Sequence, residues 1–319
     1  MVEKAKRKKR RKILVTGSSG MLGTALCERF RKEYRVIGLD NVIPDNRVCG
    51  AVLPESFVEC DITSKAKTVK SVIKAKPDLI IHTAAWTDVD GCERDPGRAR
   101  LVNAQGTANV ACAADRLNVA LIYISTDFVF DGRKKKPYRE TDSPNPLNVY
   151  GRFKLEGEQK VAKLKNYIIL RTGWLFGEKG KNFVDSILDA ANGSGELRVV
   201  DDQFGCPTFT KDFAAATEKL LDIVMRFVPF IGMQDIYHIT NKGEVSWFSY
   251  AKRILKLAKM DAKAVPIKSS ESARIARRPS FSVLDNRKFE RVTGFVMRPW
   301  EKAVKDYLNE KRLHKIIKK

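Results

Sequence analysis

Short apolar runs alternate with amphipathic stretches through the first half of the chain, the rhythm of a parallel sheet covered by helices on both faces. Ile13-Leu14-Val15 and Leu79-Ile80-Ile81 are unbroken apolar triplets, the pattern of strands buried on both sides. Arg35 to Leu39, Ser56 to Glu59, Ala120 to Ile124 and Tyr167 to Leu170 read as further strands. Between them, Met21 to Lys32 places Leu22, Leu26 and Phe30 at helical spacing. Thr63 or Ser64 is suited to cap a helix running to Ala75, and Arg98 to Asn118 predicts one long alanine-rich helix. Pro137, Pro144 and Pro146 mark an extended loop, after which Asn148 is placed to cap a helix carrying Tyr150 and Lys154.

Beyond Gly173 the rhythm loosens. Helices are expected at Asn182–Ala191, Asp212–Met225, Ser246–Lys259 and Trp300–Asn309, with a strand at Tyr237-His238-Ile239. The expectation is a nucleotide-binding unit over residues 13–172 and a smaller substrate-binding lobe over 173–319, some of whose elements return to the first sheet. A chain of 319 residues, 43% hydrophobic, is long enough to bury such a core. No apolar run reaches the roughly 18 residues of a membrane span, and the start shows no signal peptide, so cytoplasmic residence is the expectation.

Charge changes the picture at the ends. The net charge is +22, and residues 1–12 hold eight Lys or Arg against one Glu. Neither this arm nor the basic run from Lys311 to Lys319 interleaves aromatics or forms a nucleic-acid module, so a disordered, solvated arm is expected over 1–12 and nucleic acid is not an expected partner. Six scattered cysteines without a C-x-x-C pair, and three distant histidines, predict reduced thiols and no metal site.

Thr16-Gly17-Ser18-Ser19-Gly20-Met21-Leu22-Gly23 follows the first strand and opens the first helix. In that setting Gly17 permits a tight turn, Gly20 lets backbone approach a pyrophosphate, and Gly23 allows close packing of helix on strand. The helix N-terminus offers free N–H groups to phosphate. A Rossmann-type doubly wound sheet binding a dinucleotide follows. Asp40, 23 residues after Gly17, is placed to accept from a ribose hydroxyl and tilts the choice toward NAD, a tilt that Arg47 opposes. Asp61-Ile62 closes the third strand, where Asp61 either lines the adenine pocket or caps the next helix. Thr83-Ala84-Ala85 leave room for a cofactor at a strand end, and Asn103 is read as bonding backbone or water behind the site.

Ser125-Thr126-Asp127 ends a strand on the same edge, where a hydroxyl can polarise a carbonyl. Tyr150 precedes Lys154 by four residues, which puts phenol and ammonium on one helix face. The charge is expected to pull the phenol below its usual pKa of about 10, making a proton donor for carbonyl reduction. Tyr307 and Lys311 repeat the spacing, but in a context that reads as a solvated helix face.

Together TGSSGMLG, HTAAWTDVDGCE, VNAQGTANV, STDFVFDG, PYRETDSPNPLNVYGRFKLEGE, RTGWLFG, VVDDQFGCPT and ARRPSFSVLDNRKF resemble the extended short-chain dehydrogenase/reductase family over roughly residues 13–305. The match is closest to its reductases of dTDP-L-rhamnose synthesis. The resemblance implies reduction of the C4 ketone of dTDP-4-dehydro-6-deoxy-L-mannose to dTDP-β-L-rhamnose with NADPH or NADH. It makes Tyr150 the proton donor, has Thr126 stabilise the oxyanion, and has Lys154 bind the nicotinamide ribose. Gly20, Met21, Leu22, Asp61, Ile62, Thr83, Ala84 and Ala85 would contact cofactor, and Asp127, Trp174, Gln203 and Arg278 the nucleotide-sugar. His82 and Trp86 depart from the family's usual residues; His82 is read as a satisfied core histidine and Trp86 as reshaping the sugar pocket. A homodimer is the candidate assembly. The alternatives are a reductase or epimerase of another nucleotide-sugar, and a non-catalytic regulatory subunit of methionine adenosyltransferase.

Overall fold

In the computed structural model, which describes residues 10–42, 54–193, 195–227 and 232–317, the apolar runs become one parallel sheet. Strands β1 (Lys12–Thr16), β2 (Arg35–Asp40), β3 (Ser56–Glu59), β4 (Leu79–His82), β5 (Ala120–Thr126) and β6 (Tyr167–Thr172) are joined by a seventh, Gln234–His238. The order across the sheet is seventh strand, β6, β5, β4, β1, β2, β3. Every neighbouring pair is parallel. The chain winds outward from β1 to β3, then returns past β1 to β4 and winds the other way. The reversal between β1 and β4 opens a crevice at the strands' C-terminal ends, where open α/β sheets take their ligands.

Helices α1 (Met21–Phe30), α2 (Lys65–Ala75), α3 (Val89–Arg94), α4 (Pro96–Arg100), α5 (Thr107–Leu117) and α6 (Val149–Val161) follow in the first half. The second half adds α7 (Phe183–Gly193), α8 (Thr210–Val224), α9 (Trp247–Ala258), α10 (Arg287–Thr293) and α11 (Trp300–Ile317). Side chains alternate across a strand, so the sheet has two cores. Ile13, Val15, Ile122 and Leu170 pack with Leu26 and Phe30 of α1 and Phe213 and Leu220 of α8. On the other face Leu14, Ile80, Leu121 and Tyr123 meet Val72 of α2, Val110 of α5 and Val161 of α6. Each fully buried aliphatic side chain contributes roughly 1.5–3 kcal/mol.

The chain after Gly173 does two things. The strand Gln234–His238 pairs with β6, and α8 packs beside α1, so part of it completes the first sheet. The rest forms a third core around Phe176, Val184, Phe209, Tyr250, Ile254, Trp300 and Tyr307. There the strand Glu196–Val200 lies parallel to Lys263–Ile267, a pair the hydrophobic pattern does not announce.

Three expectations are corrected. The helix expected from Arg98 to Asn118 is a composite, because a π-helical turn at Leu101–Gly106 separates α4 from α5. The basic arm expected over 1–12 does not extend to residues 10–12. Lys12 opens β1, Arg11 donates to the Met225 carbonyl at 2.8 Å and Arg10 pairs with Glu55 at 2.8 Å; residues 1–9 lie outside the described residues. Tyr307 is not on a solvated face: it is 1% exposed, its hydroxyl 3.0 Å from the Gly177 carbonyl and the Asp185 carboxylate, and Lys311 pairs with the same Asp185 at 2.5 Å. Among the described residues, no helix is long and apolar enough to cross a membrane, and no cluster of His, Cys, Asp or Glu is arranged to hold a metal ion.

Candidate active site

A cavity of about 860 Å³ occupies the crevice at the C-terminal edge of β1, β2, β4, β5 and β6. Its first wall is the glycine turn. Gly17 has a left-handed φ of 66°, and a Cβ there would stand 2.7 Å from the Ala84 nitrogen, so only glycine lets the turn lie against the end of β4. A Cβ on Gly23 would meet the Gly17 carbonyl oxygen at 2.0 Å, which is how α1 packs so near its own turn. Gly20 caps α1 without a side chain bonding its first-turn N–H groups, leaving them for an anion. Met21, Leu22, Thr83, Ala84 and Ala85 line the same wall, and the Thr83 hydroxyl ties β4 to β1 by donating to the Thr16 carbonyl at 2.7 Å. The cradle fits a dinucleotide.

Asp40 lies at the far end of this wall and also organises it, accepting from Ser19 N at 2.9 Å and Asn41 N at 2.8 Å. A carboxylate offers about four lone-pair sites, so capacity remains for a ribose hydroxyl. Arg47 lies outside the described residues. Asp61 accepts from Thr63 N at 2.9 Å in a local turn, while Ser64 stands at the N-cap of α2; both Asp61 and Ile62 line the cavity. His82 is saturated, 2.6 Å from the Thr16 hydroxyl and 3.0 Å from that of Thr107, and burial pushes its pKa down to about 3. It is a core histidine. Asn103 is held inward by the π-helical turn, accepting from Trp86 N at 2.8 Å and donating to Trp86 O at 3.0 Å. It thereby pins the segment that carries Thr83 to Trp86 along the cavity.

Thr126, Tyr150 and Lys154 converge on the next wall. Asn148 caps α6 by accepting from Gly151 N at 2.7 Å, which sets the helix start that carries Tyr150 in its first turn. A Cβ at Gly151 would meet the Phe128 carbonyl at 2.2 Å, so this glycine lets α6 close on the end of β5. The Thr126 hydroxyl accepts from Phe128 N at 3.2 Å and donates to Asp127 at 3.1 Å. Lys154 is 3% exposed; its ammonium donates to the Ile124 carbonyl at 2.6 Å and lies 4.2 Å from the centre of the Tyr123 ring.

The expected lowering of the Tyr150 pKa is not what the structure gives. Burial raises it, the Asp127 carboxylate adds to the rise, and the Thr126 hydroxyl opposes it. Lys154 directs its charge to backbone, and burial lowers its own pKa to about 7 against the pull of Glu158. Desolvation acts on both partners in opposite directions and outweighs the pairing that helical spacing suggests.

Asp127, Trp174 and Arg278 also line the cavity. Asp127 is buried between Thr126 and Ser282, and burial raises its pKa to about 6. Trp174 has a left-handed φ of 50° and stacks on Trp247 with ring centroids 3.4 Å apart. Arg278 holds Asp90 through both oxygens, at 2.9 and 3.2 Å. Gln203 is absent from the cavity lining; its amide donates to Ser269 at 2.8 Å, and the candidate site leaves it out. The sequence reading missed Trp247, Lys181 and Arg274, all in the lining. Arg274 belongs to the same ARIARRP stretch as Arg278, and a second arginine four residues away was the available signal.

The glycine cradle at the strand-order reversal, with Thr126, Tyr150 and Lys154 beside it, defines a dinucleotide-binding protein of the short-chain dehydrogenase/reductase class. Within that class the chain belongs to the family described as the RmlD substrate binding domain, whose model matches residues 11–313. It is 36% identical over 306 residues to the dTDP-4-dehydrorhamnose reductase of Aggregatibacter actinomycetemcomitans, covering 92% of this chain and 97% of the relative. It is 34% identical over 302 residues to the spore coat polysaccharide biosynthesis protein SpsK of Bacillus subtilis, covering 94% and 98%. The crystal structure of dTDP-4-dehydrorhamnose reductase from Bacillus anthracis in complex with NADP superposes with a TM-score of 0.83 at 33% identity, covering 94% of this chain and 99% of that one.

Proposed function

We propose that this protein is an NAD(P)H-dependent reductase of a nucleotide-sugar, converting the C4 ketone of dTDP-4-dehydro-6-deoxy-L-mannose to the alcohol of dTDP-β-L-rhamnose. The observation that carries the reading is one continuous cavity joining the glycine cradle to Thr126, Tyr150 and Lys154. Gly17, Gly20, Met21, Leu22, Gly23, Asp40, Asp61, Ile62, Thr83, Ala84 and Ala85 hold the cofactor. When bound, the reduced nicotinamide supplies the hydride. Tyr150, kept protonated by its raised pKa, delivers its phenolic proton to the ketone oxygen, so that C=O becomes CH–OH. The Thr126 hydroxyl, whose one proton rests on Asp127 Oδ1 at 3.1 Å, turns it to that oxygen and steadies the charge that develops there. Lys154 keeps a positive or readily protonated group beside the nicotinamide ribose and Tyr150. Asp127 and Trp174 bound the sugar, while Arg278, with Arg274 beside it, offers guanidinium to the diphosphate.

The likeness to the dTDP-4-dehydrorhamnose reductases of Aggregatibacter actinomycetemcomitans and Bacillus anthracis favours a reductase over the non-catalytic alternative. Cytoplasmic residence belongs to the same reading: the five cysteines among the described residues are all free thiols, as in a reducing compartment. The test is oxidation of NADPH and NADH with enzymatically generated dTDP-4-dehydrorhamnose, followed optically, with the product identified. Wild type is expected to consume cofactor stoichiometrically, and Tyr150→Phe to bind cofactor normally but lose about 10²–10⁴-fold in kcat. Near-normal turnover by that variant would remove Tyr150 as proton donor, and turnover only with another nucleotide-sugar would move the substrate assignment.

A further inference from the structure

The segment from Arg274 to Ser282 runs along the mouth of the cavity and is bonded to the first half of the chain at successive points. Asp90 of α3 accepts from Ala276 N at 2.9 Å, and Asn148, the cap of α6, donates to the Arg277 carbonyl at 2.8 Å. Ser280 donates to the Gly132 carbonyl at 3.0 Å. The last point reaches a residue of the site: the Ser282 hydroxyl, 2% exposed, donates to Asp127 Oδ2 at 2.5 Å, and Asp127 lines the cavity. The other oxygen of that carboxylate receives the Thr126 hydroxyl at 3.1 Å.

We propose that Ser282 is a positioning residue for the reaction, fixing the Asp127 carboxylate so that its second oxygen orients the Thr126 hydroxyl. A threonine hydroxyl carries one proton, which here rests on Asp127 Oδ1, so its passage to a ketone oxygen is a turn about a single bond from a starting point that Asp127 fixes. Phe128 N occupies one lone pair of Thr126 at 3.2 Å, and Asp127 Oδ1 sets the remaining direction. Asp127 is itself confined from two sides. On one, a Cβ at Gly173 would stand only 2.6 Å from its carboxyl carbon, so the backbone leaving β6 is pressed against it. Ser282 closes the other side. Without that hydroxyl the carboxylate is free to turn about its last torsion and carry Thr126 with it. The strap that brings Arg278 to the cavity therefore also sets a group at the reacting oxygen, although Ser282 is 156 residues from Thr126 in the chain.

This rests on the reduction proposed above, and its test has an arm that does not. In Ser282→Ala, kcat should fall about tenfold while KM for the nucleotide-sugar stays within about threefold, the split expected when only transition-state contacts loosen. Because Ser282 acts through Thr126, adding Ser282→Ala to Thr126→Val should cost nothing further in kcat; losses that multiply independently would overturn the proposal. A crystal structure of Ser282→Ala should show the Thr126–Asp127 hydrogen bond broken, and an unchanged bond overturns the proposal whatever the kinetics. If wild type oxidises no cofactor with any dTDP-ketosugar, the assigned reaction fails, and the crystallographic arm still decides the role of Ser282.

Discussion

Asp127 is an acid that the fold keeps from water. Burial raises its pKa to about 6 even though the hydroxyls of Ser282 and Thr126 and the backbone N–H groups of Asp127 and Phe128 favour its charged form. Its folded pKa thus lies above the ordinary 3.8, so between those values the folded state keeps a proton that the unfolded chain has released. The resulting stability is fully present below about pH 4 and is lost as pH rises through about 6, to a total of about 3 kcal/mol. Urea unfolding of wild type and Asp127→Asn at pH 4 and pH 7 should show wild type losing ground to the variant at the higher pH. A difference independent of pH would mean the acid is not desolvated. Much of this residue-scale chemistry was legible in the chain: Thr126, Tyr150 and Lys154 are brought to one wall as their motifs suggest. Their electrostatics were not, because spacing along a helix tells which groups share a face and says nothing of how much water reaches them.

At the scale of elements, the strands of the main sheet were read closely and the helices less so: α3 and α10 were not foreseen, α11 runs on to Ile317, and one long helix proved composite. The run from Arg98 to Asn118 has helical composition throughout, and nothing in its period distinguishes an α turn from a π turn. The π turn at Leu101–Gly106 accompanies Asn103, whose amide takes both the N–H and the carbonyl of Trp86. Asn103→Leu should leave those two backbone groups without their partner and cost about 1–3 kcal/mol. Thermal unfolding measures the stability, and cofactor fluorescence titration should show weaker binding as the Thr83–Trp86 segment loosens. Unchanged melting and affinity would make the π turn incidental. The small parallel pair Glu196–Val200 and Lys263–Ile267 was missed because each strand is short and its partner lies 67 positions away in the chain.

The whole molecule decides the second tyrosine–lysine pair. Tyr307 and Lys311 share the spacing of Tyr150 and Lys154, yet they close the third core, where Tyr307 meets Gly177 and Asp185 and packs edge-on to Phe176 and tilted against Phe209. Tyr307→Phe keeps the ring and loses the hydroxyl, so it should cost about 1–2 kcal/mol in chemical denaturation, whereas a residue on a solvated face would tolerate the change without loss. By itself the sequence determined the doubly wound sheet, the glycine cradle and the residues at the strand ends, because periodicity and turn chemistry are local and act within a few residues. Only the tertiary structure decided which elements of the second half return to the first sheet, that Ser282 reaches Asp127, and that Tyr307 is buried in a core rather than solvated. Those outcomes depend on desolvation and on contacts between residues from 67 to 155 positions apart, and neither is written in any local stretch of the chain.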